Sequence, residues 1–208
     1  MDTTHKHVIS DKHKFVYHEI QKCATRSMLD YFVFKPQEDY GARRVFGSKQ
    51  LEGLDGYYHF TFVRHPLHRL VSAYISKFVV YNQHPTKPGI RHKYLYMHMP
   101  FDEFVRFVYA TPDIIADVHF KSQHEFIPEG CRVGRVEYLN ESFSHILNEI
   151  GLPRHNLKEK NVTESSHWEQ YFTDETMQMA LDRYDVDMAL YGYDRVDEIS
   201  GDLITHIY

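Results

Sequence analysis

Two short stretches gather cations, hydroxyls and small residues where an apolar segment gives way to a helix. The first is Lys22-Cys23-Ala24-Thr25-Arg26-Ser27, which follows the run from Phe15 to Ile20. Ala24, Thr25 and Ser27 let backbone N–H groups approach an anion, and Lys22 adds a point charge. The second is Thr61-Phe62-Val63-Arg64-His65-Pro66, continuing through Arg69-Leu70-Val71-Ser72-Ala73-Tyr74. There a strand end aims the Arg64 guanidinium, the helix start adds N–H groups and dipole, and Ser72 follows two turns later. Each stretch alone has a plainer reading. A basic strand–helix turn is common, and Arg64 and Arg69 pairing with surface carboxylates would contribute little. Two such sites in 208 residues point to a ligand charged at two separated places.

The elements that must position these residues follow from periodicity. Lys14–Ile20 reads as a strand, and a helix with Met28, Leu29, Phe32 and Val33 on one face comes after the first turn. Residues 35–56 read as loop with a short strand near Val45-Phe46, and Tyr57–Val63 as the next clear strand. After Pro66, Leu67, Leu70, Val71, Tyr74, Ile75 and Phe78 recur at the helical period. Residues 82–100 form a loop, and a helix carrying Phe101, Phe104, Val105 and Val108 follows. Arg132–Tyr138 reads as a strand. Asn140 is expected to cap a helix that ends at Gly151-Leu152-Pro153. A final helix starts near Thr173-Asp174 and runs through Met188. Strands alternating with helices predict an α/β fold with a largely parallel central sheet. We expect one domain over 1–208, with 1–13, rich in Lys, His and Asp, as a flexible tail.

Composition removes several function classes. A net charge of −5 excludes a general nucleic-acid binder, which depends on excess Lys and Arg. Two cysteines, Cys23 and Cys131, make neither a disulfide framework nor a zinc pattern. The sixteen histidines show no HExxH spacing, so no metal is expected. No stretch reaches transmembrane length and no signal-peptide core is evident, which reads as a cytoplasmic protein, with a lumenal catalytic domain lacking its anchor as the alternative. The first turn is not a Walker A loop, because its lysine precedes the turn and no GxxxxGK[ST] is present.

The two motifs in this order resemble the cofactor-binding signature of the Golgi-type carbohydrate sulfotransferases, which include the heparan 2-O-type enzymes. Ile20 to Ser27 is similar to their 5′-phosphosulfate loop, and Phe62 to Tyr74, with Lys77-Phe78, to their 3′-phosphate motif. The likeness continues through Phe101-Asp102-Glu103-Phe104-Val105, Asp117-Val118-His119-Phe120 with Gln123, Gly134 to Leu139, and Tyr191 to Asp194. Gln21 stands where the family has proline, and His65 where it has Asp. The resemblance implies a three-layer αβα, P-loop-like fold and 3′-phosphoadenosine 5′-phosphosulfate (PAPS) as donor, with no metal. It assigns donor binding to Lys22, Cys23, Ala24, Thr25, Arg26 and Ser27 at the 5′ end, and to Arg64 and Ser72 at the 3′-phosphate. Lys22 would also stabilise the leaving oxygen. His119 would be the base that takes the acceptor proton, with His18, His92 and Glu125 as alternatives. The implied acceptor is a hydroxyl of a saccharide or a small hydroxylated metabolite. A nucleotide-binding regulatory protein without transfer activity and a small-molecule kinase are the competing readings. Residues 35–56 and 82–100 are the expected acceptor loops, and Lys158 and Lys160 a basic loop near the nucleotide.

Overall fold

The computed structural model describes residues 5–80, 95, 98–157, 164–193 and 204–206. Its strands are β1 (Lys6–Ser10), β2 (Phe15–His18), β3 (Ala42–Phe46), β4 (Tyr58–Val63), β5 (Arg132–Arg135) and β6 (Ile204–His206). Its α-helices are α1 (Thr25–Leu29), α2 (Pro66–Tyr74), α3 (Phe101–Tyr109), α4 (Leu139–Glu149), α5 (Asp174–Arg183) and α6 (Asp185–Leu190). The chain parts into two compact units. The first comprises Met1–Arg64, Phe126–Lys160 and Glu198–Tyr208, and the second His65–Glu125 and Asn161–Asp197. No helix among the described residues is long and apolar enough to cross a membrane.

The first unit holds a mixed sheet in the order β3-β1-β2-β4-β5-β6. The expected parallel pairing lies at its centre, β2 with β4 and β4 with β5, while the outer pairings are antiparallel. All four residues of β2 and the last four of β4 are buried, so both faces of the central strands are covered. On one face Phe15, Tyr17, Phe60 and Phe62 pack with Phe32 and with Phe143 of α4. Such ring pairs contribute about 0.5–1.5 kcal/mol each beyond burial.

The expected tail is a correction. Lys6–Ser10 is β1, inserted between β3 and β2, and its last four residues are buried. His7 lies opposite His18 in the register, with ring centroids 4.9 Å apart. A neutral imidazole packs as a small aromatic ring, so a segment that reads as polar pairs as a strand. The strand expected over 132–138 stops at Arg135, and Val136–Tyr138 turns as a 3-10 helix into α4. Asn140 is not the cap: Tyr138 holds that position, and Asn140 Oδ1 accepts from the Leu157 N–H at 2.8 Å. The far end of α4 is as expected. Gly151 at φ 71°, with Leu152 N–H on the Leu147 carbonyl and Gly151 N–H on that of Asn148, makes a Schellman close.

The second unit is helical. Leu67, Leu70 and Val71 of α2 share a core with Phe104, Val105 and Val108 of α3, Phe120, and Ala180 of α5. The single final helix expected from the sequence is broken at Tyr184 into α5 and α6. There the Tyr184 hydroxyl donates to the Phe120 carbonyl at 2.6 Å. Thr173 opens α5 with a capping box, its partner being Thr176.

Candidate active site

The chain leaves β2 through His18-Glu19 into the first anion turn, and long-range bonds fix that exit. Glu19 N–H donates to the Lys6 carbonyl at 2.9 Å, and Thr61 Oγ1 to the His18 carbonyl at 2.6 Å. The buried Glu19 carboxylate takes a two-pronged guanidinium from Arg44 of β3, at 2.6 and 2.7 Å. Nothing in the spacing of 19 and 44 announces that pair, because it depends on β1 lying between their strands.

The turn itself is tightly specified. Cys23 N–H donates to the Ile20 carbonyl at 3.2 Å, with Gln21 and Lys22 between them and Lys22 at φ 72°. A positive φ at the second central residue is the type II pattern, whose first central position favours proline. Gln21 occupies that proline position and the turn still forms. Ala24 is left-handed too, at φ 56° and ψ 14°, immediately before α1. Left-handed residues alternating along a chain swing successive N–H groups toward one side, a shape suited to an anion. Non-glycine residues there cost of order 1–3 kcal/mol each, and such strain clusters at ligand sites.

Side chains in this loop divide between holding it and facing out. The Thr25 hydroxyl donates back to the Ile20 carbonyl at 2.7 Å, so its proton closes the loop. Cys23 is fully buried, with its N–H spent on the Ile20 carbonyl, so it supports the turn from beneath. Ser27 is buried on α1, Arg26 is exposed, and Lys22 is half-buried.

Arg64 follows the end of β4. Since β2 and β4 are parallel neighbours, the Lys22 turn and Arg64 leave the sheet at the same carboxyl edge, where open α/β sheets bind ligands. Gly134 and Arg135 of β5 stand beside Phe62 and Val63 in the parallel register. A Cβ at Gly134 would lie 2.8 Å from the Phe62 ring and 2.9 Å from Ser142 of α4, so only glycine lets α4 pack that close.

In the second unit, His65 precedes Pro66 at the start of α2, and its ring packs on Trp168 at 4.8 Å and Tyr193 at 5.1 Å. Ser72 sits on α2 with 3% exposure. Arg69 is 1% exposed and donates to the backbone carbonyls of Lys121 (2.7 Å) and Val118 (3.1 Å).

Those carbonyls bracket His119. Asp117 and His119 are brought together by a turn: Asp117 Oδ1 accepts from His119 N–H at 2.9 Å and from His119 Nδ1 at 2.6 Å. A carboxylate only accepts, so the proton is on Nδ1 and Nε2 is the ring's basic atom. Burial pulls the His119 pKa below its ordinary 6.5 and outweighs the Asp117 hydrogen bond, with Lys77 and Arg69 adding positive charge nearby. The imidazole is therefore neutral at pH 7.

The alternative bases fare differently. His18 is buried, and its role follows from proton accounting. His59 Nε2 meets the Leu54 carbonyl at 3.0 Å, so it donates, and His59 Nδ1 then accepts from His18 Nε2 at 2.9 Å. His18 is thus a link in the sheet. Glu125 lies 3.6 Å from both Lys121 and His124. His92, the loop over 82–94 and the basic loop at Lys158 and Lys160 lie outside the described residues. Against the expectation of no metal site, Asp113, His124 and Glu125 place one ligand atom each within 4.8 Å of one another. Asp113 is already engaged by Arg183 and the Ser122 N–H, and His124 Nδ1 by the buried Asp187, so the cluster is built as an ion-pair network. Asp187 also accepts from the Gln123 and His124 N–H groups, which the sequence spacing did not reveal.

Carbohydrate sulfotransferase 14 of Danio rerio is 25% identical over 230 residues, an alignment covering 89% of this chain. The chain spans 61% of that relative's length. No solved structure matches. The model of the sulfotransferase family matches residues 5–194, and the chain therefore belongs to the sulfotransferase family.

Proposed function

We propose that the protein transfers the sulfuryl group of PAPS to a hydroxyl of a saccharide acceptor. The observation that carries this reading is the Ile20–Ser27 turn at the carboxyl end of β2, with left-handed Lys22 and Ala24 directly before α1. A compact polyanion fits that donor set: hydrogen-bond donors and positive charge, with the nearby Glu19 carboxylate neutralised by Arg44. When bound, PAPS supplies an activated sulfuryl group and a phosphate leaving group. Lys22 balances charge growing on the leaving oxygen, and the N–H groups of Ala24 to Ser27 hold the 5′ end. Arg64 and Ser72 are the residues that hold the 3′-phosphate, as the family resemblance implies, and they select PAPS against analogues lacking it.

His119 takes the acceptor proton at Nε2 while Asp117 holds Nδ1–H and steadies the imidazolium that results. Its lowered pKa suits a base that must be neutral near pH 7. The saccharide class follows the relative named above, with a small hydroxylated metabolite as the narrower alternative. Either compartment, cytoplasm or lumen, serves this chemistry, which needs only donor and acceptor. The test is calorimetry with 3′,5′-ADP and 5′-AMP, paired with turnover on labelled PAPS. Lys22→Ala is expected to lower turnover at least ~100-fold while 3′,5′-ADP still binds. Equal, weak binding of both nucleotides would overturn the assignment, and tight binding without transfer to any acceptor would favour the regulatory reading.

A further inference from the structure

The segment from Asp117 to Lys121 is held by its carbonyls to an unusual degree. The Asp117 carbonyl accepts from the Phe120 and Lys121 N–H groups, at 3.0 and 2.9 Å. The Val118 and Lys121 carbonyls are spanned by the two terminal nitrogens of Arg69, and the Phe120 carbonyl by the Tyr184 hydroxyl. A fully buried guanidinium is a costly way to anchor a loop, since its desolvation must be recovered from fixed acceptors. The cost is intelligible where a side chain must be held to within a fraction of an ångström, as a general base must. Arg69 also sits one turn before Ser72 on α2, so one rigid helix carries both the proposed 3′-phosphate ligand and the anchor of the base.

We propose that Arg69 is a positioning residue for the transfer reaction, aiming His119 Nε2 by clamping the carbonyls of Val118 and Lys121. The proposal rests on His119 being the base. Among the described residues, the charged groups that bear on that imidazole are Asp117 on its own loop, Lys77 in the π-helical continuation of α2 (Ile75–Val80), and Arg69 itself. Charge and geometry can therefore be separated. Lysine at position 69 keeps a cation but cannot span two carbonyls, whereas methionine removes both.

The experiment measures kcat, KM for PAPS and the pH profile of kcat for wild type, His119→Ala, Arg69→Lys, Arg69→Met and Tyr184→Phe, with thermal melts on each. An error of about 1 Å in a catalytic group costs ~100-fold. Arg69→Lys is expected to lose about 10-fold in kcat, with KM for PAPS within ~3-fold and the acid limb unmoved. Arg69→Met is expected to lose ~100-fold and to shift the acid limb upward, because a like charge near His119 is gone. Tyr184→Phe, which frees only the Phe120 carbonyl, is expected to lose a few-fold in kcat, and it supplies the test if Arg69→Met does not fold. Full turnover in His119→Ala overturns the base assignment and the role of Arg69 with it. An inactive His119→Ala beside an Arg69→Lys with wild-type kcat and pH profile overturns the role of Arg69 alone.

Discussion

Gly134→Ala tests how β5, β4 and α4 fit together beneath Arg64. The new Cβ would sit 2.8 and 2.9 Å from two carbons of the Phe62 ring and 2.9 Å from Ser142 Cβ. Each contact is roughly 0.7 Å short of comfortable carbon–carbon separation. Neither neighbour yields easily. Phe62 is fully buried among Tyr17, Phe60 and Phe143, and Ser142 is buried on α4. Overpacking of this kind costs about 1–3 kcal/mol, from which the reduced freedom of the unfolded chain returns about 0.5–1 kcal/mol. A net loss of about 1–2 kcal/mol lowers Tm by about 2–8 °C for a chain of this size. The assay is thermal denaturation by circular dichroism, with 3′,5′-ADP calorimetry beside it. Since Phe62 is two residues from Arg64, nucleotide affinity is expected to weaken along with Tm. A Tm equal to or above wild type would refute the close approach of α4 to β5.

Two further perturbations probe the turn and the sheet. Ala24→Gly relieves a left-handed alanine and is expected to raise Tm by about 2–4 °C, for about 1 kcal/mol; an unchanged or lower Tm in the same melts would count against the strained turn. Burial, with His7, His59 and His5 adding like charge, holds the His18 pKa well below 6.5, so the folded state binds fewer protons than the unfolded one. Stability from this site is complete above about pH 6.5 and declines as pH falls below it, by at most about 1.4 kcal/mol per unit. His18→Phe should flatten the fall in Tm between pH 6.5 and 5, and parallel wild-type and variant curves would remove His18 as the cause.

Much of the candidate site can be read from local residue order because its parts are local. The type II turn needs only Ile20 to Cys23, and the helix after Pro66 needs only its own apolar period. Gly151 and Leu152 close α4 through bonds to residues three and five positions back, respectively. These contacts span one or two turns of chain, so residue types at fixed offsets specify them.

What spacing could not supply are partners chosen across the fold. Lys6–Ser10 reads as a tail until His7 meets His18, and only that pairing makes a strand of it. Asn140 has the chemistry of a cap yet spends its carbonyl oxygen on Leu157, and Tyr184 interrupts a good helical period to reach Phe120. Arg44 finds Glu19 across an intervening strand, and Arg69 finds two carbonyls about fifty residues away. Cations, hydroxyls and their order along the chain carry the expectation of anion chemistry at the two strand-to-helix junctions, because those residues are close neighbours in sequence. Which cation is buried to hold a loop, and which stays at the surface of a turn, is decided as each unit closes its own core. Burial is a property of the folded whole, and it is burial that decides whether an arginine is a solvated charge or a clamp.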